Sequence, residues 1–173
     1  MQIDRRSIQM RADVEGNTVT GLAIPYGTDS QPLPFIETIE RGAFTEDLGK
    51  RNVALLIEHD GGRVLADTRS GTLVLEESER GVSFRAQLPG TRDGEDMRVL
   101  LRDGIYQNMS FGFVAEKDKW TGNRRSVLSA RLYEVSLVHT PAYEATAAAV
   151  RAFSHHSDLV GRTLRLRLGE LKK

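Results

Sequence analysis

Ser110, His59 and Glu134 are the side chains of this 173-residue sequence whose types could combine into a hydroxyl nucleophile, a general base and an orienting carboxylate. The chemistry open to such a set is acyl transfer. No cysteine is present, so a nucleophile must carry oxygen or nitrogen, and disulfide frameworks and thiolate metal sites are excluded with it. An imidazole can take a proton near neutral pH when a hydroxyl lies within hydrogen-bond reach. Each residue also has an ordinary explanation. Ser110 sits in Asn108-Met109-Ser110-Phe111-Gly112, which is not a nucleophile elbow, and a lone strand serine is usually just polar. His59 can be a histidine satisfied at a strand end, and Glu134 can pair with an arginine such as Arg131 or Arg85 instead of orienting His59. The four histidines, His59, His139, His155 and His156, form no zinc-type spacing. Neither a metal nor a cofactor is expected.

The elements around these residues decide where they point. Val53 to His59 is an apolar run ending in two polar residues, as in a strand buried on both faces whose end emerges at a rim. Strands are expected over 105–116 and 126–139, joined by the polar turn 119–123. Alternation in the first puts Ile105, Gln107, Met109, Phe111 and Phe113 on one face and Tyr106, Asn108, Ser110 and Gly112 on the other. Gly112 then leaves room beside Ser110 for another backbone, such as a substrate's. Alternation in the second groups Leu128, Ala130, Leu132, Glu134, Ser136 and Val138, so that Glu134 interrupts a small or apolar series. A carboxylate there needs a partner. Five residues separate Glu134 from His139, so an unbroken strand points them to opposite faces, with Ser136 beside Glu134 as a supporting hydrogen-bond donor.

The rest of the chain supplies a frame. Residues 10–14 and 18–24 flank the turn signal Glu15-Gly16-Asn17, and residues 72–76 and 81–88 flank another polar turn, which gives two hairpins. Pro25, Gly27, Pro32 and Pro34 mark a loop before a strand at 35–39, and a short helix is expected over 43–48. Met97, Leu100 and Leu101 fall at helical spacing between an Asp93 cap and Gly104. Thr140-Pro141 opens a further helix over 142–152. From Arg151 onward, six basic residues (Arg151, Arg162, Arg165, Arg167, Lys172, Lys173) meet two acidic ones (Asp158, Glu170), and core periodicity fades. The domain is therefore placed at 1–153, with a tail or linker at 154–173. Short strands with few helices read as an α+β fold of mainly antiparallel β, a barrel or sandwich decorated by helices.

Composition narrows the function. Twenty-four basic residues balance twenty-four acidic ones, so no global field draws the chain to nucleic acid or an anionic membrane. The first residues lack an apolar leader core, and no stretch approaches the roughly 18 apolar residues of a membrane span. Aromatic residues are 6% and scattered, which leaves a sugar- or nucleic-acid-binding barrel without a stacking platform.

Read as a whole, the sequence resembles the prohead maturation protease family of tailed bacteriophages, the HK97 type. Gly21-Leu22-Ala23-Ile24-Pro25-Tyr26-Gly27 is similar to the family's opening strand and turn, and Glu37-Thr38-Ile39-Glu40-Arg41-Gly42-Ala43-Phe44 to its E-x-I-x-x-G-A-F segment. His59 falls where the family histidine is expected, Met109-Ser110-Phe111-Gly112-Phe113 looks like the serine strand, and residues 132–142 look like the closing E-V-S-L-V-x-x-P-A block. Five landmarks in order over residues 8–150 are more specific than any single motif.

The resemblance implies a herpesvirus-protease-like β-barrel surrounded by helices. It implies a serine endopeptidase acting in the host bacterial cytoplasm, inside the immature prohead. Its partners would be the major capsid protein precursor, a scaffold segment and the protease itself, with a homo-oligomer allowed. It also assigns Ser110 as nucleophile, His59 as base and Glu134 as third residue, where herpesvirus enzymes use a second histidine. The alternative is a non-catalytic capsid-assembly or scaffold-binding module on the same fold.

Overall fold

The computed structural model describes residues 3–10, 12–30 and 34–140. The helix expected over 142–152, the tail 154–173 and the boundary between tail and domain lie outside them. Ten strands and one helix alternate with short turns among the described residues. The larger sheet contains β1 (Asp4–Gln9), β9 (Asn108–Thr121), β10 (Arg124–Val138), β5 (Ala54–Ile57) and β6 (Asp60–Asp67) in that spatial order. The strand β4 (Ile36–Ile39) pairs in parallel with the first residues of β10, and β5 pairs in parallel with its last ones, so the two share one edge of that long strand. The smaller sheet is antiparallel, with β2 (Asp13–Glu15), β3 (Thr18–Pro25), β8 (Gly81–Gln87) and β7 (Leu73–Ser78) in the order β2-β3-β8-β7.

Both expected hairpins form, as does the long hairpin of β9 and β10. Residues from both sheets join one apolar cluster that includes Val19, Ile24, Phe44, Leu55, Phe84, Phe113 and Leu132. The fold is mainly β with antiparallel pairing dominant, but the described strands make two open sheets instead of a closed barrel. Strands β6 and β7 follow each other in the chain yet belong to different sheets, so no ladder joins the two there.

Three local expectations are corrected. Residues 41–50 form successive turns, with bonds such as Ala43 N–H to Glu40 O and Asp47 N–H to Phe44 O, in place of a helix. Gly42 and Gly49 have φ of 80° and 84°, so left-handed residues bracket a segment too short to sustain helical propagation. The helix α1 (Arg92–Arg102) is capped by Thr91, whose hydroxyl accepts from Gly94 N–H, while Asp93 in its first turn pairs with Arg63. Its buried Met97 and Leu101 are the residues that helical spacing selects.

The third correction concerns β10, whose alternation is not continuous. Between Val127 and Ala130 each strand carries one extra residue, Leu128 on β10 and Glu116 on β9, and between Leu132 and Glu134 a second shift leaves Tyr133 as an extra residue on β10 opposite β9. Leu128 is consequently 47% exposed while Val127 is buried. Leu132 pairs with Phe113 but Glu134 with Gly112, so the second shift turns Glu134 away from the face that holds Leu132 and Phe113. From Glu134 to Val138 the register is unbroken.

Candidate functional site

Two adjacent rows cross the larger sheet on the face that Glu134 shares. In one, Arg5 of β1, Gly112 of β9 and Glu134 of β10 stand side by side; in the next, Ser7, Ser110 and Ser136 do. Ser136 Oγ donates to Glu134 Oε2 at 2.6 Å, and Arg5 Nε donates to Glu134 Oε1 at 3.4 Å. The space above Gly112 is not open to a substrate backbone as alternation suggested. A Cβ there would lie 2.6 Å from Glu134 Oε1, so the missing side chain makes room for the carboxylate.

His59 reaches this row from a turn, not from a strand end. Ile57 pairs with Asp60, leaving Glu58 and His59 as the two central residues of a tight hairpin between β5 and β6. Their φ values are 51° and 61°, the left-handed pair that such a turn demands and that Asn-Gly sequences ordinarily supply. For residues with a Cβ this costs roughly 1–2 kcal/mol each. Contacts to β10 and its end offset the cost: Glu58 N–H donates to Leu137 O, and Glu58 Oε1 accepts from His139 N–H at 2.8 Å. His59 Nδ1 meets Glu134 Oε1 at 2.7 Å.

Burial pushes the Glu134 carboxyl up, but hydrogen bonds from His59 and Ser136, with the charges of His59 and Arg5, outweigh it and hold the carboxyl below its ordinary range. An ionised carboxylate only accepts, so Nδ1 of His59 carries the proton and a neutral ring presents Nε2 as a lone pair. Nε2 is buried and has no hydrogen-bond partner among the described residues.

Sequence reasoning named His59, Ser110 and Glu134; the structure joins the first and third directly. Ser110 lies in the neighbouring row, fully buried, and its hydroxyl donates to the backbone carbonyl of Arg6 at 2.9 Å, not to His59. Arg131 pairs with Glu116, which removes it as a partner for Glu134. His139 stacks edgewise near Tyr106 at 6.0 Å, and its Nδ1 contacts Thr140. Arg5 was missed, because its strand carries no apolar alternation that would announce it. A cavity of about 620 Å³ lies along β1, bounded by Arg6, Ser7, Ile8, Leu22, Ile39 and Phe111, and neither Ser110 nor His59 lines it.

The strand that holds Arg5 is fixed from its buried side. Arg6 forks onto Glu37 at 2.6 and 3.0 Å, and Arg125 reaches Glu37 at 2.9 Å, Asp4 at 3.3 Å and Asp118 at 2.6 Å. Among the described residues no group of three or more His, Asp or Glu side chains converges as metal ligands, and no helix is long and apolar enough to cross a membrane.

A family model described as caudovirus prohead serine protease matches residues 2–159 of the chain. No curated protein sequence matches it. Among solved structures, the capsid assembly protease gp21 of bacteriophage T4 superposes with a TM-score of 0.59 over 79% of this chain and 97% of that one, at 10% identity. At that identity the likeness is one of fold.

Proposed function

The chain belongs to the caudovirus prohead serine protease family, and from that premise we propose that it is the endopeptidase that cleaves capsid and scaffold precursors within the prohead, with Ser110 as nucleophile, His59 as general base and Glu134 as the orienting acid. The observation that carries this reading is the 2.7 Å contact of His59 Nδ1 with Glu134, which leaves Nε2 unspent. In the reaction Ser110 Oγ leaves the Arg6 carbonyl and attacks the scissile carbonyl carbon while its proton passes to Nε2. Collapse of the tetrahedral intermediate breaks the C–N bond, and the same proton goes to the departing amine. Water then attacks the acyl carbon as His59 takes its proton, the acyl C–Oγ bond breaks, and the proton returns to Ser110 Oγ as the acid product leaves. Glu134 holds the tautomer and supports the imidazolium throughout. Self-processing and action inside the host cell are parts of this proposal.

A second reading, a non-catalytic assembly module on the same fold, is favoured by one observation: the Ser110 hydroxyl is buried and committed to Arg6 O. Co-expression with the cognate capsid precursor, followed by intact-mass analysis, separates the two. Defined precursor fragments with the wild-type chain and none with Ser110→Ala are expected. Removing the hydroxyl gives up one hydrogen bond, about 0.5–1.5 kcal/mol, so the variant should still fold. Equal cleavage by both chains would sink the assignment of Ser110, and assembly without cleavage by either would establish the module.

A further inference from the structure

Glu134 Oε1 serves two donors from two directions, Nδ1 of His59 at 2.7 Å and Nε of Arg5 at 3.4 Å. Arg5 is two strands away from Glu134, roughly 10 Å in the plane of the sheet. It can bridge that distance because Gly112, directly between them, has no side chain. Asp4 and Arg6, the neighbours of Arg5, are buried in the ion cluster with Glu37 and Arg125, and strand alternation therefore turns Arg5 onto the opposite face. The register of β1 thus delivers a cation to the same carboxylate oxygen that orients the histidine.

From this placement the geometry points to Arg5 as a positioning residue of the proposed protease: its charge shares Glu134 with His59 and so keeps the imidazole uncharged, and able to accept the serine proton, at lower pH than Glu134 alone would allow. The inference rests on the assignment of His59 as base and Ser110 as nucleophile. A lone carboxylate against an imidazole favours the protonated ring; a cation on the same oxygen weakens that preference by drawing off carboxylate charge and by repelling imidazolium. Other charges near the turn are engaged elsewhere. Glu58 accepts from His139 N–H, Asp60 from Gly62 N–H, and Arg63 of β6 is paired with Asp93 of α1. Arg5 is half exposed, so solvent screens part of its effect.

The test is the pH dependence of Ser110 modification by a small fluorophosphonate, followed by intact mass in the full-length chain. In Arg5→Met, which keeps the length of the side chain and removes the charge, the acid limb of the rate should move to higher pH by about half a unit, a loss of about threefold on that limb. Arg5→Lys should recover at least half of the shift. An unmoved limb in Arg5→Met, or a lysine variant indistinguishable from methionine, overturns the role of the Arg5 charge while leaving the serine protease reading intact. A wild-type chain that takes no label at any pH overturns both.

Discussion

Glu134 occupies the volume that any side chain at position 112 would claim, since a Cβ on Gly112 would stand 2.6 Å from Oε1 and 3.1 Å from the carboxyl carbon. The oxygen crowded is the one bonded to His59. Gly112→Ala should therefore push the carboxylate off the imidazole. Overpacking of this kind costs about 1–3 kcal/mol. Cleavage should fall by about 10²-fold or more, because a misplaced orienting group leaves the imidazole in the wrong tautomer or direction. Thermal unfolding and precursor cleavage on the same preparation check both. A variant with wild-type cleavage would show that Glu134 has another place to go and that its grip on His59 is dispensable.

Glu37 belongs to the E-x-I-x-x-G-A-F segment, and its buried carboxylate is shared by Arg6 and Arg125. Glu37→Gln leaves two buried guanidinium groups short of their common counter-charge. Breaking a buried ion set in this way costs about 3–5 kcal/mol. Urea unfolding at neutral pH should show a loss of that size, against well under 1 kcal/mol for the exposed pair partner change Glu79→Gln at Arg41. Similar small losses in both variants would mean that the cluster is not what fixes β1.

The hairpins, α1 and the long β9–β10 ribbon were legible because alternation, helical spacing and turn residues agree there. Strand β1 was not, since Asp4-Arg5-Arg6-Ser7 has no apolar face; its buried positions are charges that pay for burial by pairing with Glu37 and Arg125, partners far along the sequence. His59 was recognised, yet its turn was read as a strand end because Glu58-His59 lacks the glycine or asparagine that left-handed φ usually calls for. Alternation holds from Glu134 to Val138, where the ladder is regular, and wrongly joined Glu134 to Leu132, where a bulge intervenes. A bulge leaves no mark in hydrophobic periodicity. The commitment of the Ser110 hydroxyl to Arg6 O depends on that same unseen strand.

Stability should carry the signature of Glu134 in acid. Its folded-state pKa is depressed despite burial, so the contribution of its ionised form is complete above the ordinary carboxylate range and is lost as pH falls through the lower folded-state value. Glu134→Gln removes this linkage while all other carboxylates still titrate. Comparing urea midpoints at about pH 7 and about pH 3, the wild type should lose more on acidification than the variant does. Parallel losses would mean that the hydrogen bonds from His59 and Ser136 do not favour the charged form.

The choice of third residue rests on which side chain His59 faces. Glu134 meets Nδ1 at 2.7 Å and is itself held by Ser136 and Arg5, whereas His139 contacts the Tyr106 ring and Thr140 with its side chain and Glu58 and Asn108 through its backbone. The regular register from Glu134 to Val138 keeps Glu134 beside Ser136 on the Ser110 face. An amide at 134 could still bond Nδ1, but its oxygen carries no charge to support imidazolium and its nitrogen can impose the wrong tautomer. Glu134→Gln should therefore lose about 10²- to 10⁴-fold in kcat with a smaller change in KM, while His139→Ala, whose backbone bond to Glu58 survives, should stay within about threefold of wild type. Both can be read in one precursor-cleavage assay, with circular dichroism confirming that each variant is folded. The reverse ranking would give the role to His139, and would require that the ladder between residues 134 and 138 shift its register when substrate binds.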